Sequence, residues 1–212
     1  VRKAIARGAF RPRVEVCGIG PSAAERAAET ALAGPPMRRA LVVGLCGFLV
    51  PEFGVGDVAI YGSLRAERGS LEIDPELVLE LAAALPSAHS VRGVESAVIV
   101  TSPRAKTDLA QRFGAQAVDM ESFTLVERLK LGGVSAAVVR IGSDASGDEL
   151  PDLSAALDAQ GNLHPLSTAR ALLRRPAAGL RLARNGLRAL AVLGRTVEQL
   201  CAYASEAVVP KP

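Results

Sequence analysis

The chain is predicted to be an α/β protein, a three-layer α/β/α sandwich with a mostly parallel, partly mixed central sheet. Three observations predict it. Short apolar segments that read as strands alternate with segments of helical periodicity. Residues 40–44 (Ala-Leu-Val-Val-Gly) form an unbroken apolar run, the mark of a strand covered on both faces. Helix-start signals recur between the strands, as Asp74-Pro75 and Ser102-Pro103, each a capping side chain followed by Pro in the first turn.

Taken in order, residues 1–8 read as the tail of a helix, and a first strand is expected upstream of residue 1. Val14-Glu15-Val16-Cys17 reads as a strand, followed by Gly18-Ile19-Gly20-Pro21. Ser22 and Glu25 have capping-box spacing for a helix that Gly34-Pro35-Pro36 stops. After the strand at 40–44, Gly54-Val55-Gly56-Asp57 turns the chain into strand material over 55–61. A helix runs from Asp74-Pro75 to about residue 85, and strand material lies within 91–100. A second helix runs from Ser102-Pro103 to Gly114. A short strand at 117–120, a helix at 121–131 closed by Gly132-Gly133, and a strand at 135–141 follow. A polar stretch leads to two final helices near 166–175 and 177–205. The neighbouring strands near Val55 and Val91 make part of the sheet mixed, and the whole reads as one domain over 1–212.

Composition narrows the function classes. The 212 residues are 49% hydrophobic and 22% charged, as in ordinary globular domains. The net charge is only +3, aromatic residues make up 3%, and Trp is absent, so the stacking platforms of single-strand binders are missing. No nucleic-acid partner is expected. Cys17, Cys46 and Cys201 are scattered and odd in number, which fits reduced thiols in a cytoplasmic protein rather than a disulfide framework. His89 and His164 have no partner at ligand spacing, so no metal site is expected.

The chemistry concentrates in two segments. Ala117-Val118-Asp119-Met120-Glu121-Ser122 and Arg140-Ile141-Gly142-Ser143-Asp144 each read as a buried strand ending in a carboxylate. In open α/β sheets the ligand crevice lies beyond the carboxyl ends of the strands. If the two strands are neighbours, Glu121 and Asp144 stand roughly 5–10 Å apart. Glu121 can then accept two hydrogen bonds from vicinal hydroxyls of a sugar. Asp144, with its pKa raised by burial or by a neighbouring carboxylate, is the candidate general acid, and Ser143 can orient it. The alternatives are structural: Glu121 as a first-turn acid on the helix dipole, and Ser143-Asp144 as a turn.

These two segments resemble the V-E/D-M-E and S-D motifs of the nucleoside phosphorylase and nucleosidase superfamily. Cys17-Gly18-Ile19-Gly20 before a helix and the run Gly44-Leu45-Cys46-Gly47 leading to Val55-Gly56-Asp57-Val58 agree with it. Asp158-Ala159-Gln160-Gly161 and Leu172-Leu173-Arg174-Arg175-Pro176 look most like its hopanoid-associated branch. The resemblance implies cleavage of the N-glycosidic bond of a purine nucleoside, releasing adenine, with an adenosyl-hopane lipid as substrate in that branch. A nucleosidase acting on methylthioadenosine or adenosylhomocysteine is the alternative, and a non-catalytic nucleoside-binding or membrane-docking protein a further one. It implies that Met120 packs the sugar face, Glu121 holds its hydroxyls, and Asp144 protonates the base with support from Ser143. Cys46 and Gly47 are implied to approach the sugar and base, and Thr101 and Ser102 to lie near the base. No cofactor is implied, with phosphate as the alternative to water as co-substrate, and the enzyme is implied to be a homodimer. The superfamily's phosphorylases often carry an Arg before the Gly-rich turn and a Ser or Thr inside it. Val42 and Leu45 stand there instead, which leans towards water.

Two weaker patterns complete the reading. Gly18-Ile19-Gly20 after a strand is a loose dinucleotide fingerprint, but no acid follows at the end of the next strand, so a nicotinamide cofactor is not expected. On the last helix, Arg181, Arg184, Arg188 and Arg195 share a face, and Leu180, Leu187, Leu190 and Val197 another. The favoured reading is a core-packed helix with a solvated arginine face. The other is a basic amphipathic surface that meets lipid headgroups as a peripheral membrane contact.

Overall fold

The computed structural model describes residues 12–158 and 160–208. The predicted helix tail at 1–8 and Ala159, within one of the branch-like segments, lie outside them. The elements follow the order α1 (Pro21–Ala33), β1 (Arg39–Phe48), β2 (Val58–Ala66), β3 (Gly69–Glu72), α2 (Pro75–Ala84), β4 (His89–Glu95) and α3 (Pro103–Phe113). Then come β5 (Ala117–Asp119), α4 (Ser122–Leu131), β6 (Ser135–Asp144), a 3-10 turn at Ser154–Ala156, α5 (Pro165–Arg174) and α6 (Pro176–Val208). This is the expected mixed α/β fold, a central mixed sheet flanked by helices.

The sheet order is β3-β2-β4-β5-β1-β6. Pairings β1–β6, β2–β4 and β4–β5 are parallel. Pairings β1–β5, β2–β3 and β2–β6 are antiparallel. The β2–β6 pairing, Val58 opposite Ile141 and Ile60 opposite Val139, bends the sheet back on itself. The predicted strand at Val14-Glu15-Val16-Cys17 is therefore corrected. That stretch forms no strand in the sheet, and Val16 is 71% exposed.

Local signals explain the starts of the first three helices. Asp74 accepts from the Glu76 amide at 2.9 Å and starts α2. Ser102 accepts from the Ala105 amide at 3.2 Å and starts α3. The capping box at Ser22 is corrected: the N-cap of α1 is Gly20, Pro21 takes the first turn, and no side chain caps. Pro favours that first position because its missing N–H would be unpaired there in any case.

The main core packs Phe48, Ile60, Tyr61, Leu64, Phe123, Val138 and Val139. The first half of β1 is less covered than its apolar run predicts, since Leu41 is 42% exposed. The last helix is also corrected. Ala189, Leu193, Val197 and Cys201 bury against Ile141, Val43, Leu45 and Val58. Leu180, Leu187 and Leu190, read as the core-facing stripe with Val197, are exposed. The sheet ends beneath the C-terminal half of α6, so only that half has an apolar surface to cover.

Candidate active site

Two charged groups reach across strand β1, and its glycines make room for them. On parallel β6, Arg140 lies opposite Gly44 and Asp144 opposite Gly47. A side chain on Gly44 would occupy the space of the Arg140 guanidinium. A Cβ on Gly47 would stand 2.8 Å from Asp144 Oδ1 and 3.2 Å from Oδ2. The register shifts by one residue here: Gly142 pairs with Cys46 and Asp144 with Gly47, leaving Ser143 as the extra residue. Bulges of this kind re-aim side chains beside functional sites. Ser143-Asp144 is thus a bulged strand end rather than a turn.

Asp144 is buried, and so is Lys106, whose ammonium contacts Asp144 Oδ1 and donates to the Ala145 carbonyl at 2.5 Å. Ser143 Oγ lies 2.9 Å from Asp144 Oδ2 and 3.0 Å from the Cys46 carbonyl. Burial pushes the Asp144 carboxyl above the ordinary carboxylate range, while the Lys106 ammonium and the Ser143 hydroxyl pull against it. A buried carboxyl held this way can carry a proton nearer neutrality than an exposed one.

Across β1 stands a second cluster. Glu121 is the N-cap residue of α4, but its side chain makes no cap bond. Asp119 takes that structural role and accepts from the amides of Glu121 at 2.9 Å and Ser122 at 2.8 Å. Glu121 turns instead to the start of α1, where the Gly20 amide donates to its Oε1 at 3.0 Å. Gly20 adopts φ 95°, a backbone that L side chains rarely accept, and this aims its N–H at the carboxylate. Arg140 Nη2 stands 3.4 Å from Glu121 Oε2, and its Nε 3.3 Å from Asp119 Oδ2. The same guanidinium donates to Ser122 Oγ at 3.0 and 2.8 Å. Burial works against the charge of Arg140, but Asp119 and Glu121 outweigh it and keep the guanidinium ionised. Burial raises the Glu121 pKa, with Arg140 opposing and Asp119 adding.

The expected adjacency of the two carboxylate-bearing strands is corrected. β1 lies between β5 and β6, and β5 runs antiparallel to it. Both acids still converge on one short piece of β1, because Gly47 pairs with Val118 on one side and with Asp144 on the other. Glu121 and Asp144 hold separate partners: the Gly20 amide and Arg140 for the first, Lys106 and Ser143 for the second. A cavity of about 280 Å³ lies on the Glu121 side, at the start of α1, lined by Glu15, Cys17, Gly18, Arg26, Gln160 and Asn162 among others. Neither Glu121 nor Asp144 lines it. Cys17 links the two regions: burial, with the Glu121 carboxylate adding, pushes its thiol up to about 11.

The remaining predicted site residues fall as follows. Met120 is half-buried beside Gly20, its Cε 4.0 Å from where a Cβ there would sit. Cys46 is buried and its thiol is raised by burial, which makes it a filler rather than a nucleophile. Thr101 accepts from the Leu150 amide at 2.8 Å through its carbonyl, and Ser102 caps α3. Ser102 thereby sets the helix that delivers Lys106 to Asp144, and its carbonyl accepts from the Lys106 amide at 3.1 Å.

Lys106 and Arg140 escaped the sequence reading, although each left a signal. Lys106 precedes Leu109, Ala110 and Phe113 by three, four and seven residues, the inward stripe of α3. Arg140 interrupts an apolar strand, and a cation in such a place needs a buried carboxylate. The contacts predict the outcome at Gly47. Gly47→Ala is expected to displace the Asp144 carboxylate and lower turnover by about 10²-fold. Its thermal midpoint should show no more than an overpacking cost of about 1–3 kcal/mol. Steady-state kinetics beside thermal melts checks this.

The mixed sheet flanked by helices, together with the family match over most of the chain, makes this an enzyme of the nucleoside phosphorylase or nucleosidase type. The chain belongs to the phosphorylase superfamily, whose sequence model matches residues 5–171. No curated protein sequence matches it. Among solved structures it is similar to the Campylobacter jejuni 5'-methylthioadenosine/S-adenosyl homocysteine nucleosidase, with TM-score 0.65 and 14% identity over 89% of this chain and 78% of that one. It is similar to the futalosine hydrolase of Helicobacter pylori strain 26695, with TM-score 0.62 and 15% identity over 89% and 76%. A putative methylthioadenosine nucleosidase from Weissella paramesenteroides ATCC 33313 gives TM-score 0.58 and 20% identity over 86% and 78%.

Proposed function

We propose that the protein cleaves the N-glycosidic bond of a purine nucleoside and releases adenine, with Asp144 as the general acid. The observation that carries this reading is the buried Asp144 carboxyl, raised by its surroundings and fixed by Lys106 and Ser143. A purine leaves poorly as an anion. A proton delivered by Asp144 lets it leave as a neutral base while positive charge develops on the ribose. Glu121, oriented by the Gly20 amide and Arg140, is the sugar clamp, and Met120 packs the sugar face. The Glu121 carboxylate also stabilises the developing cation.

Water is the preferred nucleophile. Val42 and Leu45, standing where the superfamily's phosphorylases often carry phosphate-binding groups, pack into hydrophobic clusters and offer no donor to an anion. The finer substrate is an adenosyl-hopane lipid, supported by the likeness of the C-terminal segments to the hopanoid-associated branch. The homodimer rests on the same resemblance. The full chain incubated with adenosine, methylthioadenosine or an adenosyl lipid, with and without phosphate, tests this by assay of free adenine. Release from the adenosyl lipid without phosphate is expected. Phosphate dependence would overturn the inference from Val42 and Leu45. Preference for methylthioadenosine would move the assignment to the nucleosidase reading, and binding without release would remove the enzyme reading.

A further inference from the structure

We infer that α5 and the N-terminal half of α6 form a docking surface for an anionic lipid bilayer. The inference is independent of the reading of the catalytic site.

Residues 159–197 contain seven arginines and no acid, in a chain whose net charge is only +3, so the rest of the protein is net negative. Arg170, Arg174, Arg184, Arg188 and Arg195 are exposed. Arg175 and Arg181 are partly engaged by the Glu149 carboxylate and by Asp148. Five leucines of the same segment are also well exposed: Leu166 by 87%, Leu173 by 77%, Leu180 by 73%, Leu187 by 70% and Leu190 by 54%, while Leu193 is buried against the sheet. No residue of α5 is buried.

On α6 the two sets are neighbours around the helix. Leu180 and Leu187 lie two turns apart on one line, with Leu190 one turn further on. Arg181, Arg184 and Arg188 follow at helical spacing on the adjoining strip. Large apolar side chains beside a cationic strip on a helix with little burial are the marks of a helix that lies in the membrane interface. Among the described residues no helix is long and apolar enough to cross a membrane, so the contact is peripheral.

Charge selects the occupant. A second copy of the chain meeting this face across a two-fold axis would bring the arginine strips together. An anionic headgroup layer complements them and buries the leucines beneath it.

Co-sedimentation with vesicles tests the inference. The full chain is expected to sediment at low salt with vesicles of phosphatidylcholine and phosphatidylglycerol and to remain in solution with pure phosphatidylcholine. Raising the salt should weaken the binding. The triple variant Leu173→Ser, Leu180→Ser, Leu187→Ser should bind about tenfold or more weakly, with an unchanged thermal midpoint, because these side chains make little contact within the fold. Arg174→Glu with Arg184→Glu should weaken binding independently. Sedimentation velocity without vesicles should give the same oligomeric state for the triple variant as for the native protein. No sedimentation with anionic vesicles, equal binding to neutral ones, or full binding by the triple variant would overturn the inference. A change of oligomeric state in the triple variant would assign the face to a second copy instead.

Discussion

Asp144→Asn is expected to lower the rate of base release by about 10²–10⁴-fold, the usual worth of general acid catalysis. Asn has nearly the same shape and can still accept from Lys106 and donate to Ser143 Oγ, but it carries no transferable proton. Nucleoside affinity should change little, because Glu121, with its own partners, is the group proposed to hold the sugar. The native enzyme should lose activity as pH rises through the Asp144 pKa, which burial has moved upward. In Asp144→Asn that alkaline limb should vanish from the residual activity. Equal loss of binding and turnover would show instead that Asp144 holds the ground state.

Lys106→Met carries the second large effect, and it separates folding from chemistry. The ammonium is buried against Asp144. Removing one partner of a buried ion pair leaves an uncompensated charge and costs about 3–5 kcal/mol. The sign with pH follows from the raised Asp144 pKa. A carboxyl that holds its proton more tightly when folded than when unfolded loses stability as pH rises through its folded pKa. Without Lys106 that folded pKa rises further. The deficit of the variant should therefore be largest at neutral pH and shrink as pH falls, vanishing only below about 3.9, where the unfolded carboxyl is protonated as well. Lys106→Met with Asp144→Asn should recover much of the lost stability, since no buried charge remains. In the single variant the alkaline limb of turnover should move to higher pH, which a purely structural lysine would not cause. Denaturant melts and rate–pH profiles of the three variants together decide the matter.

Elements with local chemistry were legible in the sequence. The Asp74-Pro75 and Ser102-Pro103 starts gave α2 and α3 within a residue or two, since cap and turn preferences act over a few positions. The apolar run at 40–44 located β1, although the strand extends from Arg39 to Phe48. Pairing was not legible. That β1 separates β5 from β6, and that β2 closes onto β6, depends on contacts between segments distant along the chain. The missing strand at Val14-Glu15-Val16-Cys17 shows the same limit, because alternation shows that a segment can pair but not that it does. In the candidate site, the sequence singles out Glu121 and Asp144 by their motif setting, and the structure shows both buried or half-buried with charged partners. Those cationic partners are not legible in the sequence, because Lys106 sits in the polar-looking helix Pro103–Phe113 and Arg140 inside a strand. The last helix failed differently. Its leucine periodicity is real, but periodicity does not reveal where the covering sheet stops.

The proposed reaction is cleavage of a purine nucleoside bond with a proton supplied by Asp144. The initial rate of adenine release from a purine nucleoside without phosphate, measured for the native protein and Asp144→Asn at matched saturation, tests it most directly. Steady release by the native protein is expected, with a loss of at least about 10²-fold in the variant. Comparable rates from the two proteins, or bound nucleoside with no free adenine from either, would contradict it.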